Sequence, residues 1–145
     1  MSTTGVFLDD IRDIDQIPPY INTWVTVRNY KEFTEFIEKY WETNNKLPEV
    51  ITFDHDLAVE HDLDRAGKAP DAPIFYMKFK EKTGKECAEW LVAFAKSKDI
   101  DLGRIAIHSM NPVGAYRIEN IINDYKKERG NYTDSPCFRI NWKYK

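Results

Sequence analysis

The sequence predicts an α/β domain with a mainly parallel sheet. Short apolar runs rich in β-formers alternate along the chain with stretches of helical periodicity, the pattern of strands joined by crossover helices. The helical stretches carry start and stop signals at the places their periodicity demands. Three dense polar clusters each follow directly on a predicted strand, and open α/β sheets bind ligands outside the carboxyl ends of their strands.

Val6-Phe7-Leu8 reads as a central strand that ends at Asp9-Asp10. Residues 11–22, with Pro18-Pro19, show no helical period, so the first crossover is expected to have a reduced helix or none. Trp24-Val25-Thr26-Val27 follows as a second strand. Asn29 with Glu32 suggests a capping box, and Tyr30, Phe33, Phe36, Ile37, Tyr40 and Trp41 recur at helical spacing, an expected core stripe on a helix to about Thr43. After a turn at 44–48, Val50-Ile51-Thr52-Phe53 is a third strand, ending at Asp54-His55-Asp56. Residues 58–82 hold Gly67, Pro70, Pro73 and an aromatic tract at 74–79; a stretch of this length is expected to be a partly ordered flap over a site. Thr83 with Glu86 is a second capping box, leading a helix with Ala88, Leu91, Val92 and Ala95 inward. Ile105-Ala106-Ile107 is a fourth strand. Asn111 before Pro112 starts a third helix, with Ala115, Ile118, Ile122 and Tyr125 inward, stopped by Gly130. Residues 137–142 alternate as a last strand. No repeat or domain boundary interrupts the 145 residues, which form one expected domain, 1–145.

Hydrophobic residues make up 42% of the chain, enough for a substantial core, so disorder is not expected. A net charge of -3 argues against a broad duplex nucleic-acid surface, while leaving room for a few local Arg or Lys contacts to a nucleotide. Cys87 and Cys137 match no metal or redox spacing and are expected to be reduced, buried thiols of a cytoplasmic protein. No apolar run is long enough to cross a membrane, and residues 1–5 do not read as a signal segment.

The polar clusters suggest chemistry. Adjacent carboxylates at a strand end repel each other unless a cation compensates; Arg12 is one source, and a hard divalent cation held by Asp9, Asp10, Asp54 and Asp56 is the other. The expected ion is Mg²⁺ (or Mn²⁺). Each cluster could also be a solvated or capped turn, and a lone histidine there is often structural. His55 and His108, however, stand at corresponding strand ends, where two imidazoles can share general acid and base work near neutral pH. Ser109 lacks a nucleophile-elbow setting and suits hydrogen bonding to phosphate. Asn111 is a helix cap that can also touch substrate. Arg12 and Arg28 suit bidentate phosphate contacts or surface ion pairs, and the amides around Val113 and Gly114 open a helix N-terminus fit for an anion.

Leu8-Asp9-Asp10-Ile11-Arg12, Phe53-Asp54-His55-Asp56-Leu57 and His108-Ser109-Met110-Asn111-Pro112-Val113-Gly114 together resemble the cyclic-phosphate-processing receiver-like domains of bacteria and their phages. The resemblance implies a receiver-like (flavodoxin-like) three-layer sandwich with a five-stranded sheet in the order 2-1-3-4-5. It also implies action on a cyclic phosphate end of RNA or a nucleotide. Ala58 stands where the family pattern usually has glycine, and the insert to Lys82 is long. Phosphorelay receivers share the acidic pair, but no Lys-Pro follows the last strand here and both histidines would be idle. The expected activity is therefore a metal-assisted phosphoesterase that opens a 2′,3′-cyclic phosphate RNA end or a cyclic nucleotide. His55 is read as base and His108 as acid, an order the residues do not fix. The alternative is a receiver-like module that captures a nucleotide or phosphorylated partner without turnover, as an anti-defence protein of a phage would.

Overall fold

A computed structural model of the chain describes residues 3–9, 23–55, 82–109, 111–133 and 135–140. Five strands, β1 (Thr4–Leu8), β2 (Thr23–Val27), β3 (Val50–Phe53), β4 (Arg104–Ile107) and β5 (Phe138–Arg139), alternate with α1 (Tyr30–Asn44), α2 (Gly84–Lys98) and α3 (Pro112–Arg129). The sheet is parallel throughout, in the order β2-β1-β3-β4-β5. This is the receiver-like α/β architecture. The crossovers β2→β3, β3→β4 and β4→β5 all step the same way across the sheet, so right-handed connections lay all three helices on one face.

That face is the apolar core. Val6, Leu8, Ile51, Phe53, Ile105 and Ile107 point into it and meet Phe33 and Ile37 of α1, Ala88 and Leu91 of α2, and Ile118 and Ile122 of α3. The aromatic stripe of α1 is only partly core: Phe33 is buried, whereas Tyr40 and Trp41 stay half-exposed at the rim. Among the described residues α1 packs mainly on the edge strand β2 and on α2, so a narrow strip of it is enclosed. Val92 is likewise half-buried. Phe7, Thr52 and Ala106, one residue out of phase with the inward rows, are fully buried as well. The sheet is therefore covered on both faces, as parallel sheets require.

The caps follow the sequence with one shift. Thr83 and Glu86 form the full reciprocal box at α2. At α1, Asn29 accepts from the Glu32 amide at 2.9 Å, but the Glu32 carboxylate takes the Arg28 amide at 2.8 Å, not that of Asn29. Asn29 is fully extended, with φ -156° and ψ 178°, and the carboxylate reaches one residue further back. Asn111 caps α3 ahead of Pro112, and Gly130 closes it at φ 81°. Cys87 and Cys137 are buried thiols that form no disulfide. Among the described residues no helix is long and apolar enough to cross a membrane. The first crossover at 10–22, the flap at 58–82 except Lys82, and the end of the last strand at 141–142 lie outside the described residues.

Candidate active site

The hydrogen-bond ladder runs one residue past the strands, and this creates the site. Asp9 N bonds Val27 O, Asp54 N bonds Leu8 O and His108 N bonds Phe53 O, each at 3.0 Å. The first residue after β1, β3 and β4 thus falls into a single row across three neighbouring strands. By the two-residue alternation of a strand, that row shares the face of Phe7, Thr52 and Ala106. Asp9, Asp54 and His108 are all buried, and one donor atom of each lies within 4.8 Å of the others.

His108 is held from three directions. Its ring stacks on Phe7 with centroids 4.3 Å apart and planes 10° from parallel. Nδ1 is 2.8 Å from Thr52 Oγ1, and Nε2 is 3.2 Å from Asp9 Oδ2. The Arg28 guanidinium donates to the Asp9 carbonyl at 3.3 Å, tying the end of β2 to that of β1.

His55 belongs to a second group, on the helix side of the same strand ends. Its carbonyl accepts from Gly84 N at 2.8 Å, which docks the start of α2 against the β3 turn. A Cβ on Gly84 would overlap the Asp54 carbonyl, and one on Gly114 would lie within 2.6 Å of His55 Nδ1 and Cδ2. Glycine at these two positions is what lets both helix N-termini close on the site. Asn111 Oδ1 accepts from Gly114 N at 3.0 Å, which orients its amide and turns Nδ2 toward His55 Nδ1, 3.4 Å away. An amide nitrogen only donates, so Nδ1 is the acceptor and the proton of the neutral ring sits on Nε2.

The structure therefore unites Asp9, Asp54 and His108 in one cluster and His55, Asn111 and Gly114 in an adjacent one. The Gly114 amide serves the cap. Ser109 Oγ accepts from Asn111 N at 3.1 Å, leaving its hydroxyl proton as a donor. Val113, its side chain exposed, lies in the first turn of α3, where backbone N–H groups have no partner within the helix. Asp10, Arg12 and Asp56 lie outside the described residues. Thr52, Phe7 and Gly84 were not singled out from the sequence. The signal for Thr52 was a hydroxyl inside an otherwise apolar strand, two residues before an aspartate and hence on its face.

Two carboxylates and an imidazole in one row, at the carboxyl ends of a parallel 2-1-3-4-5 sheet, place the molecule among receiver-like α/β domains. The chain belongs to the cyclic-phosphate processing receiver domain family, which matches residues 4–124 and so takes in all three polar clusters. No curated protein and no solved structure matches the chain significantly.

Proposed function

We propose that the protein is a metal-assisted phosphoesterase that opens a cyclic phosphodiester, a 2′,3′-cyclic phosphate RNA end or a cyclic nucleotide. The observation that carries this reading is the buried row of Asp9, Asp54 and His108 in a chain of the cyclic-phosphate processing family. Carboxylate oxygens suit a divalent cation, Mg²⁺ or Mn²⁺, and the donor spacing fits one. Such an ion would offset charge on the phosphoryl oxygens.

The chain's own groups supply the rest. The Ser109 hydroxyl and the first-turn amides of α3 face the position of an anion at a helix N-terminus. His55 assists the departing group: as water adds to phosphorus and the bond to one ribose oxygen breaks, the proton that water gives up ends on that oxygen, and negative charge builds there on the way. The Nε2–H that Asn111 imposes on the neutral His55 ring suits it to hydrogen-bond that oxygen and hold its developing charge, without itself losing the proton. This moves His55 from the base read from the sequence to the side of the departing oxygen.

A phosphorus NMR screen of cyclic nucleotides and cyclic-ended oligonucleotides, with and without Mg²⁺ or Mn²⁺, tests the reading. Wild type should convert at least one substrate to a monoester. Asp54→Asn and His55→Ala should each slow it by about 100-fold or more, the usual scale for loss of one group that stabilises charge in the transition state. Binding without product in every case would reassign the domain to capture, and equal rates in all three proteins would remove the site.

A further inference from the structure

We infer that His108 is a metal ligand and Thr52 its positioning residue, so that the cation site is Asp9, Asp54 and His108 and prefers a nitrogen-accepting dication (Mn²⁺, Fe²⁺, Co²⁺ or Zn²⁺) over Mg²⁺. The inference rests on the proposed metal-assisted reading and specifies which ion the site takes. It also withdraws His108 from the acid–base pair expected from the sequence.

The His108 side chain is fully buried, with one ring face on Phe7 and both nitrogens within hydrogen-bond reach of partners. A general acid must reach a substrate oxygen, and a ring so enclosed cannot do so without leaving its stack. A ligand has the opposite requirement: it must be fixed. Metal-binding histidines almost always engage their second ring nitrogen with an oxygen that sets the tautomer and the ring angle. The Thr52 hydroxyl, fully buried in the middle of β3, does this at Nδ1. If Nδ1–H donates to Thr52 Oγ1, Nε2 presents a lone pair toward the two carboxylates.

The spacing agrees. Two donors at right angles about an ion, each about 2.1 Å from it, stand about 3.0 Å apart. His108 Nε2 and Asp9 Oδ2 are already 3.2 Å apart. The Asp54 oxygen lies within 4.8 Å of both. A set of two oxygens and one imidazole is a poor match to Mg²⁺, which favours all-oxygen shells. The same set suits the later divalent metals, whose affinity for nitrogen rises across the first transition row.

The test is direct metal binding to the 145-residue, chelator-treated protein, read by calorimetry and, for Co²⁺, by its visible absorption. Co²⁺ and Mn²⁺ should bind at least tenfold tighter than Mg²⁺. His108→Ala should weaken Co²⁺ by about 100-fold and Mg²⁺ far less, erasing the preference. Thr52→Val should weaken Co²⁺ by about tenfold, the range seen when a ligand loses its orienting partner. His108→Gln, closer in size, repeats the comparison if the alanine variant does not fold, as judged by circular dichroism without metal. Equal affinities for Mg²⁺ and Co²⁺ would overturn the inference. So would an unchanged Co²⁺ spectrum in the His108 variants. Tight Co²⁺ binding that needs His108, in a protein that converts no cyclic phosphate, would uphold this site while removing the phosphoesterase reading.

Discussion

At the amino end of the sheet, Lys126 of α3 is fully buried, and its ammonium donates to neutral oxygens: Gly103 O at 2.8 Å, Ser135 O, and Ser135 Oγ at 3.3 Å. At the carboxyl end, the buried ionisable groups among the described residues are Asp9, Asp54 and His108, which face one another, and His55 beside them. Both ends bury groups that are costly to desolvate. The amino end solves this with the backbone of its own loops, so the lysine acts as a clip between α3, the approach to β4 and the segment before β5. The carboxyl end gathers three side chains from three strands, an arrangement that folding alone does not call for. The contrast separates a polar group paired with the backbone of its own loops from polar side chains that face one another.

The largest expected effect tests how tightly the carboxyl end is closed. In Gly84→Ala, the new methyl would strike the Asp54 carbonyl, 2.9 Å from its carbon and closer still to its oxygen, and backbone cannot give way as a side-chain tip can. We expect a loss of about 3 kcal/mol by chemical denaturation, at the upper end for overpacking. Gly114→Ala meets the His55 ring, which can swing aside, so it should cost less stability and more activity. Equal and small effects from both would show that the helix N-termini stand off from the β3 turn.

Next is the amino end. Lys126→Met removes the ammonium and leaves the Gly103 and Ser135 carbonyls without their donor. Relief of charge burial offsets part of the loss, leaving an expected net cost of about 1–2 kcal/mol at neutral pH. Burial lowers the Lys126 pKa from its ordinary value of 10.5. The unfolded chain then holds the proton more tightly than the folded one, and stability rises with pH across the window below 10.5. The advantage of wild type over Lys126→Met should therefore grow as pH climbs from neutral toward 10.5. Burial pushes the Cys137 thiol up to about 12, above this window; Lys126 opposes that rise, so its removal leaves the folded thiol protonated across the window in both proteins and the Cys137 contribution nearly cancels. A difference that shrinks with rising pH would mean that the ammonium is more stable buried than in water.

Much of this was legible before any coordinates. Alternation of strands and helices, the caps at Thr83 and Asn111, and the stop at Gly130 depend on local chemistry, and the fold follows them. So does the coincidence of polar clusters with strand ends. What could not be read is register. Asp9, Asp54 and His108 share a row only because the ladder pairs Leu8 with Phe53 and Phe53 with Ile107. A shift of one residue would have turned His55 into that row and Asp54 out of it. Counting the two histidines as a matched pair ignored this parity: His108 is the first residue after its strand and His55 the second. Thr52 was passed over because its role comes from a partner 56 positions away. Burial of the α1 aromatics was overestimated because periodicity shows a face but not how much of it neighbouring elements enclose.

The smallest expected effect on stability comes from Asn111, where two variants separate two roles. Asn111→Ala removes the cap and should cost about 1 kcal/mol. Asn111→Asp keeps the cap, since a carboxylate accepts from Gly114 N equally well and suits a helix N-terminus. Its stability should stay within about 0.5 kcal/mol of wild type, the usual bound for a change that removes no packing or cap. A carboxylate cannot donate to His55 Nδ1, however, and can only accept from it. The aspartate should therefore draw the neutral ring's proton from Nε2 to Nδ1, visible as an exchange of the two nitrogens' protonated and bare signatures in ¹H–¹⁵N spectra of the imidazole. If Nε2–H is the donor that holds the departing oxygen, turnover should fall in Asn111→Asp with the fold intact. A ring that keeps its proton on Nε2 in Asn111→Asp would show that the 3.4 Å contact does not govern His55.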